Sequence, residues 1–393
     1  MDNCNKMQEL KYLREEYGIS QSRLAIEAGI SRKQLVLLEN GKAKPMPETV
    51  EKLEKALMIL NPNAKLTMVI DYVRIRYETT DVGHVIRELL RLKQEYMIHE
   101  SFGFYGYEEH YELGNIFVMA SQDEEKGVLL ELKGQGCRQF EGFLEAQERS
   151  WYDFFMESVM EGCVFKRIDL AINDIAGVLD IRELTKKCEE DECISKFRSW
   201  RSYRSGELIR RDEKVGMGYT LYIGSLKSDV YFCLYEKDYE QYIKKDIPIE
   251  SVPVKNRFEI RLMNDRAEHA IKGLLSCWDG EEVAFRIINQ YLRFVDKEEG
   301  VSREYWENSK MWNWFIGEHR EAMKLTSEPQ PYSPERTLRW MSRQVAPSWK
   351  AFEKVDQNKG THVMSEMVEN ATLNERLEKL VEQLSAATED MII

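Results

Sequence analysis

Four short segments of the 393-residue chain alternate between apolar and polar side chains. They span residues 167–172, 220–224, 230–237 and 257–262. Because successive side chains of a β-strand point to opposite faces, this pattern predicts strands that each have one apolar and one polar face. If the four strands belong to one sheet, their carboxylates, arginines and tyrosines meet on a common surface.

The rest of the body mixes strand and helix signals. Residues 66–77 alternate and are rich in β-branched side chains, residues 81–92 have helical spacing, and residues 115–121 and 126–141 predict a hairpin. Beyond about residue 300 the pattern is helical. These signals predict an α+β protein with a helix-turn-helix head, a mostly antiparallel sheet with helices and a helical C-terminal region. The predicted domains are residues 1–62, 66–325 and 326–393, with a linker at residues 61–65 that contains proline and asparagine.

The head is read from the stretch ISQSRLAIEAGISRKQLVLLENGK. Ser20 and Ser31 are suited to cap two helices, and Gly29 can take the left-handed conformation between them. This pattern resembles the Cro/repressor-like helix-turn-helix family, over roughly residues 6–60. The resemblance implies that Gln21 contacts phosphate and that the second helix enters the major groove. The predicted DNA-binding residues are Gln21, Ser31, Arg32, Lys33 and Gln34. A plain helical hairpin is the alternative.

The polar faces of the body strands carry groups suited to phosphate chemistry. Asp169 and Glu259 offer hard oxygen ligands for Mg²⁺ or Mn²⁺. Phosphate oxygens could be held by cationic side chains, namely Arg167, Arg257, Arg261 and Lys237. A tyrosine hydroxyl, with a free pKa near ~10, becomes a nucleophile only when a cation stabilises its phenolate. Two hairpin tyrosines, Tyr222 and Tyr235, are available. A solvated sheet face with cross-strand ion pairs is the alternative.

Four motifs in order, LELKGQGCRQFE, RIDLAIND, YIGSLKSDVYFCLYEK and NRFEIRL, resemble the Rep_trans family. Its members include plasmid rolling-circle replication initiators and MobT-type relaxases of integrative and conjugative elements, and their catalytic domain is rolling-circle Rep-like. The resemblance implies nicking of one origin strand by a tyrosine with a divalent cation. Tyr235 is the preferred nucleophile and Tyr222 the alternative. The implied metal ligands are Asp169 and Glu259, with Asp174 a weaker third and Glu131 a fourth.

Two departures from related proteins stand out. Family members often carry arginine where this chain has Cys233. Many relaxases use paired histidines as metal ligands, but the six histidines here include no His-x-His pair, so the predicted metal site consists of carboxylates.

The predicted function is that of a DNA relaxase, a site- and strand-specific nickase and ligase at an origin of transfer or replication. Its predicted partners are double-stranded origin DNA, single-stranded nicked DNA and accessory proteins such as a coupling protein or helicase. The alternative is a non-enzymatic helix-turn-helix regulator with a sensing or oligomerisation domain. The net charge of −13 argues against DNA binding as a whole, but residues 1–65 carry about +2, so the head can still bind locally.

Seven cysteines without zinc spacing, and no apolar run near the ~18 residues of a membrane span, indicate a cytoplasmic protein. One predicted loop has two possible interpretations. Residues 101–111, SFGFYGYEEHY, place glycines between aromatic residues. This pattern fits either stacking on unpaired bases or a turn packed in the core.

Overall fold

The computed structural model describes residues 3–61, 65–206, 216–317, 323 and 325–393. Most of the predicted linker at residues 61–65 lies outside the described residues. The chain divides into two compact units whose segments interleave: residues 1–70, 169–266 and 276–326 in the first, and residues 71–168, 267–275 and 327–393 in the second.

The head, in the first unit, consists of four helices: α1 (Asn3–Glu16), α2 (Gln21–Glu27), α3 (Arg32–Glu39) and α4 (Pro47–Leu60). Ser20 and Ser31 cap α2 and α3 by accepting the backbone N–H groups of Arg23 and Gln34 at 3.2 and 3.1 Å. Gly29 joins the two helices with a φ of +65°, which glycine adopts without steric cost. The predicted helix-turn-helix is confirmed. Its inner faces form a core that includes Leu24, Ala25, Leu35, Leu38 and Leu53.

Each unit contains part of the strand system, and strands β1 and β6 contribute residues to both. The strand order is β1-β6-β11-β10-β9-β8 in the first unit and β2-β3-β4-β5-β1 in the second. The β5–β1, β11–β10, β10–β9 and β9–β8 pairs are antiparallel, as the sequence predicts. The strands are β1 (Leu66–Tyr77), β2 (Ile98–Glu100), β3 (Glu109–Leu113), β4 (Ile116–Ala120), β5 (Val128–Lys133), β6 (Val164–Asp174), β7 (Cys193–Ser195), β8 (Trp200–Gly206), β9 (Gly216–Ile223), β10 (Val230–Glu236), β11 (Asn256–Met263) and β12 (Leu292–Phe294).

Phe258 of β11 packs against Trp312 and Phe315, with 6.4 and 5.3 Å between ring centroids, and β7 pairs separately with β12. Trp312 and Trp314 are buried and pack in the core, the outcome that tryptophans favour in a globular chain. The C-terminal region is helical, as predicted. The remaining helices are α5 (Val82–His84), α6 (Gln135–Ala146), α7 (Trp151–Met160), α8 (Ile181–Glu189), α9 (Lys237–Lys245), α10 (Asp265–Cys277), α11 (Gly280–Tyr291), α12 (Lys310–Phe315), α13 (Glu335–Trp340), α14 (Ala346–Lys359), α15 (Val363–Glu369) and α16 (Glu375–Ser385).

Candidate active site

The polar faces of β6, β9, β10 and β11 lie on neighbouring strands in the first unit. Register brings the predicted side chains together: Cys233 stands opposite both Glu259 and Tyr222, and Tyr235 stands opposite Arg257. Side chains at directly paired positions are within contact distance. The alternation in the sequence therefore produces a continuous polar surface across these strands.

Glu259 contacts side chains on both sides of it on this surface, Tyr235 and Arg261. It is buried, and its Oε1 accepts the hydroxyl hydrogen of Tyr235 at 2.7 Å. Its Oε2 accepts from the Nε and Nη2 atoms of Arg261 at 2.9 and 2.6 Å. The Nε atom of Arg261 also lies 3.7 Å from Oδ2 of the buried Asp169. One guanidinium thus joins the two predicted carboxylates, and the carboxylate of Glu259 meets a hairpin phenol.

The Tyr235 hydroxyl has a cation beside it. Nζ of Lys237 lies 3.4 Å from the phenol oxygen and 5.4 Å from the ring centroid, and the same ammonium pairs with Glu240. The hydroxyl therefore lies between a carboxylate that can accept its proton and an ammonium whose charge would offset that of a phenolate.

Tyr222 has a different environment. Burial, together with the neighbouring Cys233, raises the pKa of Tyr222 to about 12, and burial together with Glu259 raises the pKa of Cys233 to about 12. Both groups are therefore protonated at neutral pH. Tyr222 is half-buried, and its ring packs edge-on against Tyr203 with 5.8 Å between centroids. The charge of Arg261 acts to lower the pKa of Tyr222, but burial and Cys233 outweigh it.

Two other predicted site residues, Arg257 and Asp174, have hydrogen-bond partners outside the contacts of Glu259. Nε of Arg257 donates to Oδ1 of Asn173 at 2.8 Å, on the polar side of β6. Asp174 lies an odd number of positions from Asp169 on β6, so the two side chains point to opposite faces of the strand. Its carboxylate accepts the backbone N–H groups of Gly177 and Leu179 at 2.9 and 2.7 Å, and burial raises its pKa. Asp174 thus organises the turn after β6 rather than joining the cluster.

Glu131 and Arg167 lie in the second unit. Glu131 is buried and accepts from the hydroxyls of Tyr72 and Tyr105 and from the cations Arg74 and Lys133. The guanidinium carbon of Arg167 lies 3.9 Å from the Tyr72 ring centroid. These residues form a second polar cluster, and sequence reasoning missed Tyr72, Arg74 and Lys133 in it. The alternation of residues 66–77 with a facing hairpin is the signal that could have found them.

Metal binding by Asp169 and Glu259 depends on Arg261. Asp169 and Glu259 provide the hard oxygen donors that Mg²⁺ and Mn²⁺ prefer. The Arg261 guanidinium already contacts both carboxylates. Among residues 3–61, 65–206, 216–317, 323 and 325–393, no three or more His, Cys, Asp or Glu side chains form a group that could hold a metal. The two carboxylates therefore fit a divalent cation only if Arg261 gives up part of its contact with them.

Four of the five predicted DNA-binding residues of the head are exposed to solvent. Ser31, Arg32, Lys33 and Gln34 are exposed at the start of α3, while the hydroxyl of Ser31 also caps the helix. Gln21 is partly buried, and its Nε2 atom donates to Glu39 at 2.7 Å.

Glu39 in turn accepts from Nε of Arg14 at 2.6 Å, in a buried pair that sequence reasoning missed. Two ion pairs join the head to the rest of the first unit, Lys55 with Glu183 and Lys310 with Glu27.

Three segments of the chain match known protein families. Residues 163–368 match the family described as replication initiation factor, and residues 67–157 match the N-terminal domain of rolling circle replication initiation proteins. Residues 10–58 match the helix-turn-helix family. The chain belongs to the replication initiation factor family, which confirms the resemblance seen in its motifs, and these matches support DNA binding by both the head and the initiator domain.

Two particular proteins show how close the relationship is. The chain is 41% identical over 329 residues to a Bacillus subtilis (strain 168) protein described as "Putative DNA relaxase NicK", across 84% of this chain and 92% of that protein. Its fold is similar to that of a rolling circle replication initiator protein from Geobacillus stearothermophilus, with a TM-score of 0.57 and 24% identity. That comparison covers 67% of this chain and all of the solved one, and it shows a shared fold.

Proposed function

We propose that the protein is a DNA relaxase that nicks and rejoins one strand at an origin through Tyr235. The hydrogen bond from the Tyr235 hydroxyl to the buried Glu259 carboxylate, with Lys237 beside the same oxygen, carries the proposal. A phenol placed between a base and a cation is prepared to attack phosphorus. Family membership and the relaxase description of the Bacillus relative support the same activity.

The proposed step is a transesterification. The Tyr235 oxygen forms a bond to a backbone phosphorus, the bond from phosphorus to the 3′ oxygen breaks, and the DNA keeps its 5′ phosphate on the protein. The phenol proton passes to Glu259, and the departing 3′ oxygen takes a proton from solvent water to become a hydroxyl. Because one ester replaces another, the reverse reaction reseals the strand without a nucleotide cofactor.

The arginines have distinct proposed roles. Arg261 neutralises Asp169 and Glu259 while the site is free of DNA, and Arg257 is fixed by Asn173 near the hairpin tyrosine. Guanidinium groups bind phosphate oxygens in a fixed, paired geometry. Both are therefore proposed to position the scissile phosphate, while Lys237 stabilises the phenolate.

We also propose that activity requires Mg²⁺ or Mn²⁺ held by Asp169 and Glu259, as the family resemblance implies. When bound, such an ion would polarise the phosphate and offset its charge. Asp174 is left out because its oxygens hold the turn after β6. Glu131 is left out because it has its own hydroxyl and cation partners in the second unit.

The proposed biological setting is an origin of transfer or replication on a mobile element, in the cytoplasm. None of the described helices is long and apolar enough to cross a membrane. The proposed DNA partners are the double-stranded origin, bound by the exposed start of α3, and the nicked single strand. A coupling protein, a helicase or another accessory protein of the element would act with it.

The second function proposed for comparison is a non-enzymatic regulator. The head supports it, because the helix-turn-helix has its own core and an exposed recognition helix whether or not the body cuts DNA. In that case the body would sense a ligand or oligomerise.

A supercoiled plasmid that carries the cognate origin separates the two functions. With Mg²⁺ or Mn²⁺ we expect relaxed plasmid with protein attached to the 5′ end. Tyr235→Phe should abolish the attachment and leave duplex binding intact, while Tyr305→Phe, at an exposed position, should behave as wild type. Loss of attachment in Tyr222→Phe but not Tyr235→Phe would move the nucleophile, and no nicking at any metal concentration would favour the regulator.

A further inference from the structure

The loop between β2 and β3 in the second unit presents aromatic rings to solvent. Phe102, Phe104 and Tyr105 are 56%, 46% and 53% exposed. Three neighbouring exposed rings are unfavourable in water, because apolar surface gains free energy when it is covered. Tyr105 also adopts a φ of +58°, a conformation that is uncommon for residues other than glycine. Phe102 and Phe104 also pack against His110, with 5.1 and 5.4 Å between ring centroids, and each still leaves about half of its surface exposed.

The Tyr105 ring is fixed in place from one side. Its hydroxyl donates to Oε1 of Glu131 at 2.8 Å and accepts from Nη2 of Arg74 at 2.7 Å. The Arg74 guanidinium carbon lies 4.2 Å from the ring centroid, in the range of a cation–π contact. About half of the side chain remains exposed, so a second flat group can stack on it without displacing Arg74.

Cationic side chains lie next to the Tyr105 ring. Arg74 and Lys133 both pair with a single carboxylate, that of Glu131. Nζ of Lys133 lies 5.9 Å from the Tyr105 centroid. Of the acids that follow the loop, Glu108 pairs with Lys126 at 3.4 Å, and Glu109 contacts Nε2 of His99 at 2.6 Å. Two cations and one carboxylate thus lie next to the Tyr105 ring, a local balance that favours an anionic ligand.

We propose that the loop of residues 101–108, with Arg74 and Lys133, binds single-stranded DNA by stacking unpaired bases on Phe102, Phe104 and Tyr105. Exposed rings bordered by cations suit a strand with free base faces and a charged backbone. A duplex does not offer free base faces, so the site selects single strands. The inference rests on the proposed function in that nicking supplies such a strand.

The test measures binding of the full-length protein to an oligothymidylate that contains one 2-aminopurine, without origin sequence and without divalent metal. Tyr105→Leu and Phe102→Leu should each weaken binding roughly 5- to 150-fold, the effect of losing one stacked base, and should restore free 2-aminopurine fluorescence. Tyr105→Phe keeps the ring and should bind nearly as wild type. Tyr305→Leu, at another exposed tyrosine, is the matched control and should bind as wild type.

The charged part of the site is tested by salt dependence. Lys133→Gln should lower the slope of log affinity against log salt by about 0.7, the value for one phosphate contact with a single strand. Lys379→Gln, which also removes a lysine paired with a glutamate, should leave the slope unchanged. Unchanged affinity in both Tyr105→Leu and Phe102→Leu overturns the proposal.

The outcome of these binding tests does not depend on whether the protein nicks DNA. Loop-dependent binding in a protein that never nicks plasmid would retain this inference and reject the proposed function. Nicking with loop variants that bind single strands normally would do the reverse.

Discussion

Replacing Glu259 by glutamine removes one charge from the centre of the proposed active site. The substitution keeps the size of the side chain and one carbonyl oxygen that can still accept from Tyr235. It removes the proton acceptor and the carboxylate that holds Arg261 through two hydrogen bonds of 2.9 and 2.6 Å. The effect on chemistry should therefore exceed the effect on structure.

The effect on the reaction rate and the effect on stability can be estimated separately. Loss of a positioned general base lowers the rate by about 10²- to 10⁴-fold. Hydrogen bonds to charged groups contribute about 1.5–3 kcal/mol, and Arg261 keeps Asp169 as a second partner at 3.7 Å. We expect Glu259→Gln to reduce the free energy of unfolding by about 1–3 kcal/mol, which leaves the protein folded at room temperature.

The assay follows the rate of covalent adduct formation on an origin oligonucleotide under single-turnover conditions. The matched control is Glu141→Gln in the second unit, where a buried carboxylate accepts from Arg138 and from Trp151, each at 2.8 Å. The control should lose similar stability and keep its nicking rate. A Glu259→Gln rate within about threefold of wild type would refute the role of Glu259 as base.

Other predictions concern stability and duplex binding. Burial raises the pKa of Glu240, but the charges of Lys237 and Lys244 outweigh it and lower that pKa to about 2. The unfolded value is near ~4.3, so this stabilisation, at most about 3 kcal/mol, is complete above that pH and is lost as the pH falls towards 2. Urea unfolding at a series of pH values should show a shallower acid loss in Glu240→Gln, and an unchanged profile would contradict the ion pairs. In the head, Arg32→Gln and Lys33→Gln should each reduce the salt slope of origin-duplex binding by about 0.9, and a slope equal to wild type would exclude phosphate contacts there.

The strand framework could be predicted because period-two alternation is a local property. The prediction of a strand at residues 66–77 agrees with β1, and the hairpin within residues 222–237 agrees with β9 and β10. The helix-turn-helix was equally accessible, since its capping serines and its glycine act within a few residues. Elements of this kind are encoded by near neighbours in the chain.

The arrangement within the site could not be predicted, because it depends on register and on turns. Sequence alone places Arg261 on the right face but does not show that its guanidinium joins Asp169 and Glu259. Asp174 was a reasonable metal ligand until the turn after β6 placed two backbone N–H groups at its carboxylate. Gln21 likewise faces Glu39, a partner eighteen residues away that only the packed helices bring near.

The most direct test of the account is to trap the protein on an origin oligonucleotide, digest the adduct and locate the nucleotide by mass spectrometry. The account predicts a single phosphotyrosyl peptide with the 5′ end of the DNA on Tyr235. A 5′ phosphate found on Tyr222 or another residue, or a cut strand without any protein attached, would contradict it.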